Sequence, residues 1–214
     1  QGGGVALPIG GMGAVSDAFQ TAALSRGVEI RTGVGVAQVI IEGDSGRGVE
    51  LDDGTGLDAR AVLTSTGAFQ AMQMAGPTHF DVEAVRRLRN LRNKGIAAKV
   101  NLVLKEAPVF TGLSRDLSAS RLLVAPSANH VERAFNPAKY GELSRSPVIE
   151  AVIPTLTDPS LASDRRHLLS AVVQYAPYAL DGGWTDAARD QLTRLTLETL
   201  AKYAPGLPDL VTAS

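Results

Sequence analysis

Val36-Ala37-Gln38-Val39-Ile40-Ile41-Glu42-Gly43-Asp44-Ser45-Gly46-Arg47-Gly48-Val49-Glu50-Leu51-Asp52-Asp53-Gly54 reads as two strands and two turns. Residues 36–41 are rich in β-branched side chains, and Gly43-Asp44-Ser45-Gly46 breaks them with a turn signal. Val49-Glu50-Leu51 is the second strand. Asp52-Asp53-Gly54 turns again, because Gly54 takes a positive φ at little cost. Residues 57–59 then return antiparallel, which completes a three-stranded meander. Hairpin geometry explains Asp52-Asp53 better than a paired acid/base role does.

Working outward, Gly10-Gly11-Met12-Gly13 precedes a helical pattern in which Val15, Phe19, Ala22 and Ala23 share a face. Gly27 follows Arg26, where a glycine ends a helix. Val28-Glu29-Ile30 reads as a short strand. Ala61-Val62-Leu63 reads as a buried strand ending in Thr64-Ser65-Thr66-Gly67. Past Gly67 the element order changes, so a boundary is expected there.

The remainder predicts a short helix over 68–74, stopped before Pro77, and another over 81–93. In the second, Val82, Val85, Leu88 and Leu91 would point inward and Arg86, Arg87, Arg89 and Arg92 mostly outward. Ala98, Val100, Leu102 and Leu104 alternate with Lys99, Asn101, Val103 and Lys105, as in a half-exposed strand. Further strands are expected over 121–124, 147–153 and 167–175. Ser127 and Thr185 are candidate caps of two later helices. On the strand over 167–175, Ala171, Val173 and Tyr175 share one face.

Composition narrows the function. The chain has 214 residues, 21 basic and 22 acidic side chains and no cysteine. A disulfide framework, a thiolate metal site and a cysteine nucleophile are excluded. A formal charge of -1 argues against nucleic-acid binding by bulk attraction to phosphate. No apolar run is long enough to span a bilayer. The opening Gln1-Gly2-Gly3-Gly4 lacks a secretory pattern and there is no initial Met, so an excised piece of a longer chain is expected. The histidines His79, His130 and His167 lack metal-ligand spacing. The five basic residues between Arg86 and Lys94 read as the solvated face of a helix. Neither a Gly-x-Ser-x-Gly elbow nor a strand-linked Gly-x-Gly-x-x-Gly is present.

Several motifs occur in an ordered series. They are residues 10–19, Gly27-Val28-Glu29-Ile30-Arg31-Thr32-Gly33, Val36-Ala37-Gln38-Val39, Gly48-Val49-Glu50-Leu51-Asp52-Asp53-Gly54 and Ala59-Arg60-Ala61-Val62. Later come Glu132-Arg133-Ala134-Phe135, Asp158-Pro159-Ser160-Leu161-Ala162, His167-Leu168-Leu169-Ser170, Gln174-Tyr175-Ala176-Pro177-Tyr178 and Tyr203-Ala204-Pro205-Gly206. Together they resemble the flavin-dependent phytoene desaturase, carotenoid isomerase and amine oxidase superfamily, and within it the phytoene-dehydrogenase-related branch.

The resemblance implies an α/β to α+β chain. Residues 1–67 would be the central part of an FAD-binding Rossmann-type domain, a helix plus the meander. Residues 68–214 would be a substrate-binding domain, a mixed sheet with helices. FAD is the implied cofactor of the full-length protein, and a fragment without the phosphate loop is expected neither to retain it nor to be active. Cofactor contact falls to Gly11 and Met12, to Val36 at a strand opening, and to Ser65, Thr66 and Gly67. Lys99 matches the amine-oxidase lysine that reaches flavin N5 through water, although desaturase members generally lack it. A solvent-facing strand lysine is the plainer alternative. Tyr175 is the substrate-side candidate. A small apolar substrate, a cytoplasmic location and peripheral membrane contact fit the resemblance. The rival readings are a non-catalytic ligand-binding or interaction module, and a true amine oxidase.

Overall fold

A computed structural model describes residues 8–91 and 94–214. They form two compact units. One holds the described residues up to Thr21 and from Lys94 to Ser214; the other holds those from Ala22 to Leu91. Helix α1 (Gly11–Ser25) begins in the first unit and ends in the second.

In the second unit, β1 (Val36–Glu42), β2 (Ser45–Leu51) and β3 (Gly56–Asp58) form the expected antiparallel meander. The β1–β2 register runs from Val36↔Leu51 to Glu42↔Ser45. The Asp53 carboxylate accepts the Thr55 N–H at 2.9 Å, which closes the second turn and lowers the Asp53 pKa. This is hairpin chemistry, as the sequence indicated. Gly48 is required by close approach, since a Cβ there would stand 2.1 Å from the Leu57 carbonyl oxygen. Helix α2 (Ala68–Ala75) packs on β1 and buries Met72. Helix α3 (Val82–Arg89) is capped by Asp81, whose carboxylate accepts the Ala84 N–H at 2.8 Å.

The first unit centres on β4 (Ala97–Leu104), α4 (Arg115–Ser118), β5 (Leu122–Val124), α5 (Ala128–Phe135), β6 (Val148–Val152), β7 (His167–Gln174), α6 (Asp186–Ala201), α7 (Leu207–Leu210) and β8 (Val211–Ala213). Its five strands lie in the order β5-β6-β7-β4-β8. Val100, Leu102 and Leu104 of β4 join Ile149 and Ala151 of β6 and Leu169, Ala171 and Val173 of β7 in one core. Alternation puts these side chains on one sheet face, and Leu192 and Leu200 of α6 belong to the same cluster. Ser127 and Thr185 cap α5 and α6, accepting from His130 N and Ala188 N. The buried hydroxyls of Thr196 and Thr199 each bond back to a carbonyl of their own helix at 2.8 Å, so neither is left unpaired.

Several expectations need correction. The five-stranded sheet is antiparallel throughout, not mixed. Residues 28–30 and 61–63 are not strands, and Leu63 is 99% exposed. A strand exists only with a neighbour to take its N–H and C=O groups, and among the described residues none pairs with either segment. Val82 and Leu91 point outward, at 87% and 50% exposure. Helix α3 closes at Arg89, so Leu91 lies beyond it; Val85 and Leu88 carry its half-buried stripe. The expected outward position of Arg92 and the helix end at Asn93 lie outside the described residues, as does the opening Gln1-Gly2-Gly3-Gly4. Arg86, Arg87 and Arg89 are exposed, in keeping with a solvated face. Among the described residues no helix is long and apolar enough to cross a membrane.

Candidate functional site

The two sheet faces of the first unit differ. The face opposite the core carries Lys99 and Asn101 from β4, Ser170 and Val172 from β7, and Glu150 and Val152 from β6. Lys99 and Asn101 are exposed; the other four are half-buried. Lys99 pairs with Val172, and Val172 with Glu150. The next row is Asn101, Ser170 and Val152, in which the Ser170 hydroxyl donates to Asn101 Oδ1 at 2.8 Å. Apolar Val172 and Val152 are thus flanked by polar side chains. The face is amphipathic and open to solvent, unlike the buried one.

Charge on this face is distributed unevenly. Glu150 is bound to Arg121 at 3.1 Å. Among the described residues no carboxylate lies within salt-bridge distance of Lys99. Lys99 is therefore an exposed ammonium with no carboxylate partner among the described residues.

Beside this face lies a groove of about 640 Å³. It follows the edge of β4 over residues 97–101, because β8 pairs only with Val103 and Leu104. Trp184 and Arg189 form part of its far wall. The Trp184 indole is fixed there by donating to the carbonyls of Pro177 (3.1 Å) and Tyr178 (3.2 Å).

Tyr175 does not extend the Lys99 row. The β4–β7 ladder ends at Ala97↔Gln174, so Tyr175 lies just past the strand that the sequence reading had continued through it. Its ring meets Phe135 of α5 edge-on, with centroids 5.0 Å apart. Gly11 and Met12 open α1, with Met12 71% exposed. Their neighbour Gly10 donates its N–H to the Asp158 carboxylate at 2.6 Å. Nothing in the spacing or composition of residues 10–13 and 158–162 links the two segments.

The second unit holds the other candidates. Val36 opens β1 opposite Leu51 and is 39% exposed. Ser65, Thr66 and Gly67 are exposed and follow no strand, which removes the strand-end argument for them. Thr66 N–H donates to the Thr64 hydroxyl at 3.1 Å, and the two hydroxyls are 2.8 Å apart. Gly67 caps α2 without any side-chain hydrogen bond, and a Cβ built on it would meet nothing within 4 Å. The helix start therefore offers free backbone donors in open space.

The histidines behave as ordinary polar residues. His167 Nδ1 lies 3.0 Å from the Thr155 hydroxyl, and His130 Nε2 lies 3.5 Å from the Pro147 carbonyl. No cluster suited to a metal occurs among the described residues.

The family model for flavin containing amine oxidoreductase matches residues 1–212. The chain belongs to that family. Among relatives, the mouse pyridine nucleotide-disulfide oxidoreductase domain-containing protein 2 is 30% identical over 95% of this chain and 37% of its own length. An uncharacterized Mycobacterium tuberculosis protein is 28% identical over 91% of this chain and 36% of its own length. This chain thus spans well under half of either relative. An oxidoreductase from Methanosarcina mazei has the same fold, with a TM-score of 0.66 at 21% identity over 94% of this chain and 40% of that one. A Pyrococcus furiosus protein matches with a TM-score of 0.65 at 17% identity, over 92% and 40%.

Proposed function

We propose that the intact protein is an FAD-dependent oxidoreductase of the desaturase or dehydrogenase kind, related to the phytoene-dehydrogenase branch, and that this chain is its central part. The observation that carries this reading is the family-model match over residues 1–212. The residues present fit FAD at two places. Val36 stands at a partly exposed strand opening, where a backbone donor and acceptor lie side by side. The uncapped start of α2 at Gly67, with Ser65 and Thr66 before it, has room and free N–H groups for a polar part of the cofactor.

Bound FAD would accept hydride from a C–H bond of a small, largely apolar substrate. The chain's own residues would bind and orient. Residues 1–67 would serve the cofactor and residues 68–214 the substrate. Val172 and Val152 would exclude water from the substrate, and Asn101, Ser170 and Glu150 would fix its orientation at the rim. Tyr175, held edge-on against Phe135, remains a substrate-side candidate on the resemblance alone. Such a site needs position more than a strong acid or base.

The test is the cofactor content of the purified intact protein. Stoichiometric flavin with its visible absorption bands, bleached anaerobically by an apolar C–H donor, is the expected result. A flavin-free intact protein that still binds an apolar ligand would favour the binding-module alternative.

Lys99 favours a second reading, an amine oxidase. Its ammonium sits on the half-open face with no carboxylate partner among the described residues, where it could hold a water or stabilise reduced oxygen. Reduction of the intact protein by an amine rather than an apolar C–H donor would select it.

A further inference from the structure

We propose that Asp158 is a positioning residue whose carboxylate latches the Gly10-Gly11 turn and so presents Gly11 and Met12 in one fixed geometry. Asp158 is 8% exposed and uses both oxygens. Oδ2 accepts the Gly10 N–H at 2.6 Å, across 148 residues of sequence. Oδ1 accepts the Ser160 hydroxyl at 2.6 Å and the Ser160 N–H at 3.1 Å. The second set holds the carboxylate at the start of the 3-10 turn Pro159–Leu161, so the first oxygen is aimed before Gly10 arrives.

The turn needs such a partner. Gly10 and Gly11 lie at φ 84° and 74°, consecutive left-handed conformations that two glycines share with many others of similar energy. A charge-assisted bond at Gly10 selects one of them. Leu161 of the same loop bounds the space at Gly11, since a Cβ there would stand 3.4 Å from its Cδ2. The Gly11 N–H is taken by the Pro8 carbonyl at 3.0 Å. One loop, Asp158-Pro159-Ser160-Leu161, therefore sets the entry of α1 from both its polar and its apolar side. The consequence for FAD rests on the flavoenzyme reading of Gly11 and Met12; the latch itself does not.

The experiment compares Asp158→Asn and Ser160→Ala in the intact protein. It measures amide hydrogen exchange in peptides covering residues 8–14, and the absorption and fluorescence of bound flavin. Asparagine keeps one acceptor and turns the other position into a donor, so it cannot accept the Gly10 N–H and the Ser160 N–H together. Asp158→Asn is expected to speed exchange at 8–14 by about tenfold or more, with β4 and β7 unchanged, and to shift the flavin spectrum. Ser160→Ala keeps the Gly10 bond and is expected to leave that spectrum unchanged at neutral pH. Unaltered exchange in Asp158→Asn overturns the latch. Faster exchange with an unaltered flavin spectrum reduces it to a structural clasp and overturns the positioning role. A flavin-free wild type counts against the flavoenzyme reading, while the exchange arm still decides the latch. If Asp158→Asn does not fold, Asp158→Glu, whose longer arm displaces the carboxylate, is read in the same two ways.

Discussion

The Thr155 hydroxyl accepts the Leu168 N–H at 3.1 Å, so a side chain completes the entry of β7 where backbone pairing begins. Thr155 is 2% exposed, and the same oxygen lies 3.0 Å from His167 Nδ1. Thr155→Val keeps the shape and removes both bonds. A loss of about 1 kcal/mol is expected for removing bonds to these half-buried partners, read as a lower urea midpoint at unchanged slope. A midpoint equal to wild type would show that water replaces the hydroxyl.

Leu102 and Leu169 lie opposite each other in the β4–β7 ladder, both fully buried. Leu102→Ala should cost about 2–5 kcal/mol through lost burial and the cavity left behind. Val103→Ala, at a half-buried position on the other face, should cost clearly less. Equal losses would mean that the core face has been assigned wrongly.

Gly48 tests the meander. A Cβ there would collide with the Leu57 backbone, whereas one on Gly46 would stand 3.8 Å from Val39 Cγ1. Gly48→Ala is expected to raise hydrogen exchange throughout β2 and β3, and Gly46→Ala to leave it near wild type. The opposite ranking would refute the β2–β3 register.

Acid should open the latch. The Ser160 hydroxyl first, and then the Gly10 N–H, hold the Asp158 carboxyl below the usual carboxylate range. A lowered folded pKa means that the stabilisation is fully present above the ordinary carboxylate value and is lost as pH falls through the lowered one. Ser160→Ala removes the larger cause, so exchange at residues 8–14, corrected for its intrinsic pH dependence, should rise at a higher pH than in wild type. Coincident profiles would count against the Ser160 contribution.

Lys99→Met distinguishes the two redox readings. If the ammonium serves oxygen chemistry, reoxidation of the intact protein by oxygen should slow by about tenfold or more while reduction by substrate is retained. Unchanged stopped-flow reoxidation would leave Lys99 a solvent-facing strand residue.

What could be read from the sequence was local. The meander, the caps Ser127 and Thr185 and the alternation along β4 depend on neighbours a few residues away, and all appear where expected. The sheet order was not legible, because β4 pairs with β7 across some seventy residues and nothing in either strand names its partner. The Ala61-Val62-Leu63 strand failed for the converse reason: its composition suits a sheet, but no described strand takes its backbone. Of the candidate site, Lys99 could be placed on a half-exposed strand, while the identity of the open face required knowing where α6 packs. The Gly10–Asp158 bond carries no periodic or turn signal at all.

The free margin of β4 has a practical corollary. Among the described residues no strand pairs with the outer side of residues 97–101, and Lys99 is the one charged side chain among those five. An unpaired edge is a template for extended backbone, and here the α6 side chains Arg189 and Asp190 and the Trp184 ring stand along it, so the groove is what guards the sheet from edge-to-edge growth.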